Sequence, residues 1–139
     1  MKPYILAVAA FSLFCSLAMA QSRPDSAVSK NYFAAQEALA ADNLAKARTA
    51  FTTLAQESAG DLKAKAQAAA EAKDINNMRK AFKTLSDVVI KMQLPKGYAV
   101  AFCPMFEGGS SWAQKGGKIS NPYFGKSMPS CGEFKTAGK

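Results

Sequence analysis

Between Gln21 and Pro95 only Pro24, Gly60 and Pro95 itself interrupt a run dominated by alanine. With residues of poor helix propensity this sparse, the run is directed towards helix, and the apolar spacing divides it into four. Val28, Tyr32, Ala35 and Leu39 form one stripe on a helix that ends near Asp42. Leu44, Ala47, Phe51, Leu54 and Ala55 form the next, with Asp42 or Asn43 available to accept its first backbone amides. Gly60 is expected to stop that helix and Asp61 to cap a third, whose weaker stripe is Leu62, Ala66 and Ala69. Ile75, Met78, Phe82, Leu85, Val89 and Met92 then alternate steps of three and four behind Asp74, which stands where a cap belongs. Lys73 and Asn76 occupy positions where the third stripe would continue, so the phase slips and a break near Asp74 is expected. Short connections between amphipathic helices favour antiparallel neighbours. The fold expected is mainly α, an up-down four-helix bundle over residues 26–95.

Residues 96–139 are a different material, crowding glycine, proline and aromatics together. They read as a loop-rich tail packed on the bundle, inside a single domain spanning 21–139. Tyr98, Val100 and Phe102 alternate with alanines and suggest a short strand leading into Cys103, so that the tail holds one or two short strands. Gly108-Gly109 and Gly116-Gly117 mark turns around Trp112, without phosphate-loop spacing. Asn121-Pro122 forces another turn, after which Tyr123-Phe124 is expected to fold back onto the helices.

The first 20 residues carry their own signal. Lys2, an apolar run from Tyr4 to Met19 and the small-residue pattern Ala18-Met19-Ala20 make a cleavable export sequence, with the apolar stretch short of the ~20 residues that span a bilayer. Cleavage after Ala20 leaves a chain expected in the periplasm with no stable membrane insertion. Phe14 stands where lipidation of Cys15 would need a small residue. The formal charge of +8 comes mostly from lysines, 15 of the 18 basic residues, spread without a dense block. That pattern reads as a solvated basic surface, and export removes nucleic acid as its partner.

Histidine is absent, which excludes histidine general bases, Ser-His and Cys-His nucleophile pairs and imidazole metal sites. Acidic residues are dispersed, so neither a calcium or magnesium cage nor a hydrolytic carboxylate pair is recognisable. Thiol exchange is the one chemistry left, and it lacks both a C-x-x-C pair and a thioredoxin-like element pattern. No enzyme activity is expected. Sulfur is distinctive in another way. Cys103-Pro104-Met105 and Met128-Pro129-Ser130-Cys131 place a thioether close to each of the two cysteines that remain after export. Two thiols in an oxidising compartment make a bridge closing a 28-residue loop, which chain-entropy arithmetic rates at about 3.5 kcal/mol. Kept reduced, the same four sulfurs are soft donors of the kind that select monovalent copper. Trp112 is a packing aromatic that could also stand over a bound cation.

Cys103-Pro104-Met105, Trp112, Asn121-Pro122-Tyr123-Phe124-Gly125, Met128 and Cys131-Gly132 resemble the signature of the domain of unknown function 3347 family. Arg79-Lys80-Ala81-Phe82 and Leu85-Ser86 resemble its segment before the tail. That family consists of exported bacterial proteins, and a similar module is attached to adaptor subunits of heavy-metal efflux systems. The resemblance implies a helical bundle with a sulfur-bearing C-terminal segment, located in the periplasm and associated with copper or related metals. It maps Cys103, Met105, Met128 and Cys131 onto the family's Cys-Pro-Met and Met-x-x-Cys-Gly elements as metal ligands, with Trp112 behind them and an efflux adaptor as a partner. Ala113 stands where an aliphatic residue is common, Lys115 and Lys118 stand where acidic residues are frequent, and the histidines of some members are missing. The expected function is capture of monovalent copper or silver for sequestration or transfer to an efflux system. The alternative is a non-catalytic interaction module with a structural Cys103–Cys131 disulfide.

Overall fold

A computed structural model describes residues 26–136; the export signal expected over 1–20 lies outside the described residues. The protein is mainly helical, with four helices and a small three-stranded antiparallel sheet in the C-terminal region. Helix α1 spans Ser26–Ala40, α2 Leu44–Glu57, α3 Gly60–Ala70 and α4 Ile75–Val89. The apolar stripes account for their packing. Val28, Tyr32, Ala35 and Leu39 of α1 are buried, as are Ala47, Phe51, Leu54 and Ala55 of α2 and Met78, Phe82, Leu85 and Val89 of α4. Helix α3 is the poorest in large side chains and buries only Ala66 and Ala69. Each helix packs on the next in sequence.

Side-chain caps start two of the helices. Asn43 Oδ1 accepts the Lys46 N–H at 3.0 Å, and Asp74 Oδ1 accepts the Asn77 N–H at 2.8 Å. The α2–α3 junction differs from expectation. Ser58, not Gly60, ends α2, with its hydroxyl donating back to Leu54 O; Gly60 is the first residue of α3, and Ala59 precedes it without a side-chain cap. Asp61 sits inside the first turn, where a carboxylate favours the helix dipole instead of capping the end. Arg48 of α2 donates to the carbonyls of Ala70 and Ala72, so that α2 satisfies the end of α3. Met92, expected on the α4 stripe, lies past the helix end and is half-buried.

Strand β1 (Tyr98–Cys103) is central, flanked by β2 (Ser110–Lys115) and by the two-residue β3 (Glu133–Phe134). A short 3-10 turn, Gly125–Ser127, lies between β2 and β3. The tail thus holds three strands where one or two are expected. In β1 the small residues Ala101 and Cys103 are the buried ones, and Tyr98, Val100 and Phe102 are half-buried. The reason lies opposite: Ala101 pairs with Trp112, whose indole is wholly buried and needs the space a small neighbour leaves.

Strand β2 is an edge, and edges leave backbone groups unpaired. Two tyrosines supply the missing partners. Tyr32 Oη of α1 accepts the Ala113 N–H at 3.1 Å and shares a 2.8 Å hydrogen bond with Ser86 of α4. Tyr123 Oη donates to Ser111 O at 2.7 Å, and its ring lies against Phe82 and Trp112. The tail is thereby attached to the helices by aromatic packing and by hydrogen bonds at once.

Candidate thiol site

Cys103 is the last residue of β1 and is completely buried. Cys131 lies outside regular structure between the 3-10 turn and β3, half-buried. The topology brings them together although 28 residues separate them: the sulfurs are 2.9 Å apart, with no bond drawn between them.

Four residues hold this juxtaposition. Asn121, fully buried, donates from Nδ2 to Cys131 O at 2.7 Å, while its Oδ1 accepts the N–H groups of Tyr123 and Phe124 at 2.8 and 3.1 Å. Its own N–H donates to Pro129 O at 3.0 Å, so one residue ties both ends of the segment that carries Met128 and Cys131. Gly132 lets that segment lie on the sheet. At φ +127° it adopts a conformation other residues avoid, and a Cβ there would stand 2.8 Å from Phe102 O and 3.0 Å from Trp112 Cη2. Trp112 is the floor under Gly132, with its Nε1–H donating to Gln114 Oε1 at 3.0 Å. Gln114, also buried, folds the turn after β2 by accepting Ser120 N–H and donating to Lys115 O and Lys118 O.

A second hub fixes the whole tail. Arg79 of α4, only 7% exposed, donates Nε–H to Pro122 O at 2.9 Å and Nη2–H to Leu39 O at 3.1 Å and to Asp42 Oδ1 at 2.6 Å. Asp42, the turn residue between α1 and α2, also accepts Lys126 N–H at the 3-10 turn. Gly125 is required at this crossing, because its φ is +56° and a Cβ would collide with the Asp42 carboxylate and the Arg79 guanidinium. The Arg79 hydrogen bond holds the Asp42 carboxyl below the usual carboxylate range.

The expected sulfur donors are placed unequally. Met128 closes the 3-10 turn half-buried, and its carbonyl accepts Cys131 N–H at 3.2 Å, which keeps it one tight turn from that thiol. Met105 lies two residues beyond β1 and is 65% exposed, the one large apolar side chain so exposed among the described residues. Met78 is core. Among the described residues no three His, Cys, Asp or Glu side chains group as a metal site. The donor set for a soft ion is therefore two thiols plus whatever thioether joins them. The neighbouring Cys103 sulfur, and secondarily burial, push the Cys131 thiol above its ordinary range.

Asn121, Gln114 and Arg79 carry the site yet are not evident as its supports in sequence. The one visible signal is that Arg79 and Ser86 fall seven residues apart on the face defined by Met78, Phe82, Leu85 and Val89. A polar residue in phase with an apolar stripe is a residue with a buried partner. Comparison with protein-family models, with curated proteins and with solved structures finds no match to this chain.

Proposed function

We propose that the protein captures monovalent copper or silver through Cys103 and Cys131, for sequestration or for transfer to an efflux system outside the cytoplasm. One observation carries the reading: two thiols distant in sequence stand in contact, one anchored in a strand and one half-buried in a loop. Thiolates are soft ligands, and no imidazole competes with them. An ion shared by both sulfurs sits between them, so a pair 2.9 Å apart has to open to admit it, a displacement the Cys131 loop can supply while Cys103 stays in its strand. Met105 follows Cys103 by two residues and is exposed, while Met128 precedes Cys131 by three and is tied to it by a backbone hydrogen bond. Trp112 acts behind the site, under Gly132.

The sequential packing α1–α2–α3–α4 through connections of a few residues supports the up-down bundle as the platform. The test is a titration of the reduced protein with monovalent copper against a competing chelator. Tight binding that disappears in Cys103→Ser/Cys131→Ser supports the proposal, and equal affinity in the two proteins contradicts it. Because each thiol gives up a proton, affinity rises with pH, on the order of tenfold or more per pH unit below the thiol pKa values.

The short sulfur–sulfur distance equally favours a second reading, a Cys103–Cys131 disulfide in a non-catalytic interaction module. Intact mass with and without reductant, on protein taken directly from the compartment it is exported to, separates the two. A bridge in all molecules favours the second reading, and two free thiols favour the first.

A further inference from the structure

We propose that the two thiols react in a fixed order with an external disulfide of low molecular weight: Cys131 exchanges first and Cys103 only resolves, so that oxidation switches ligand capacity off. The inference deepens the copper reading by naming the regulation of the same site, and its order of events stands on burial and topology alone. Cys103 is wholly buried at the end of the central strand, beneath the segment that Asn121 and Gly132 clamp over it. Cys131 is only partly buried in that segment, with the Cys103 sulfur 2.9 Å behind it. An external disulfide can therefore approach one sulfur and not the other.

The chemistry balances with that disulfide as oxidant. Cys131 loses its proton to water, and its thiolate attacks one sulfur of R–S–S–R, forming Cys131–S–S–R and releasing R–S⁻. The Cys103 thiolate, its proton likewise lost to water, then attacks the Cys131 sulfur, forming the Cys103–Cys131 bond and releasing the second R–S⁻. Two protein thiols are oxidised and one external disulfide is reduced to two thiols. The product has no thiolate for a metal ion.

The experiment uses oxidised glutathione, no metal, and the full chain with Cys15→Ala so that the tail thiols are the only ones. Reaction is quenched with acid and followed by intact mass. The unsubstituted tail is expected to end as an internal bridge with two glutathiones released. Cys103→Ala is expected to accumulate a single glutathione adduct, and Cys131→Ala to react at least about tenfold more slowly. Equal adduct formation in the two variants, or a doubly adducted tail in place of a bridge, overturns the proposal. Should either variant fail to fold by circular dichroism, a brief maleimide pulse on the unsubstituted tail with peptide mapping decides the order instead: label on Cys131 before Cys103 supports it, and equal labelling overturns it. Ordered exchange in a protein that binds no copper would refute the copper reading, and with it the switch in ligand capacity, and leave the order of exchange standing.

Discussion

At the scale of single residues, the thiol pair depends on groups that are not themselves sulfur. Gly132→Ala places a methyl group against Phe102 O and Trp112 in a backbone conformation unsuited to it. A loss of about 2 kcal/mol is expected from denaturant unfolding, together with slower bridge formation, because the Cys131 segment must lift from the sheet. Arg79→Ala leaves the Pro122 and Leu39 carbonyls and the Asp42 carboxylate without their donor, at a cost of about 3 kcal/mol in the same measurement. The Asp42–Arg79 pair also sets an acid limb. The folded carboxyl has a depressed pKa, so its contribution to stability is present above the unfolded value near 3.9 and is lost as pH falls through the folded one. A urea series from pH 6 to pH 2 should show this limb in the parent protein and a shallower one in Arg79→Ala.

At the scale of elements, the edge of β2 rests on two phenols. Tyr32→Phe strips the Ala113 N–H of its acceptor, and Tyr123→Phe strips Ser111 O of its donor. Each is expected to cost about 1–2 kcal/mol, and Tyr32→Phe should also speed hydrogen exchange at the Ala113 amide, which NMR can follow. Burial raises both phenols above their ordinary range. Unfolded tyrosine ionises near pH 10 while the buried rings stay neutral, so stability declines as pH rises from there towards the folded values. The helices were legible in the chain because stripes and caps are local: Asn43 and Asp74 accept the amides their positions suggest. Strand β2 was not, because Ser110-Ser111-Trp112-Ala113-Gln114 is buried on both faces and shows no alternation. The glycine pairs on either side of it were readable as turns, but the partner strand and the two tyrosines come from elsewhere in the chain. The Cys103 and Cys131 segments were recognisable as chemistry, whereas their contact depends on the fold of the intervening tail, which Asn121 and Arg79 organise through long-range bonds.

At the scale of the whole molecule, a helical platform carries a small sheet whose central strand ends at a buried thiol, and a clamped loop returns a second thiol to it. The arrangement couples stability to redox state. Closing the 28-residue loop adds about 3.5 kcal/mol by chain entropy, so the oxidised protein should melt at a higher temperature than the reduced one in calorimetry. On the function proposed above, reduced protein is the less stable form and the one that takes the metal, and bound copper would restore part of the difference by mass action. The most direct measurement is alkylation footprinting of the reduced protein during copper loading, read by peptide mass. One equivalent of monovalent copper should protect Cys103 and Cys131 together in the same molecules. Protection of neither thiol, or of one without the other, would contradict a shared dithiolate site.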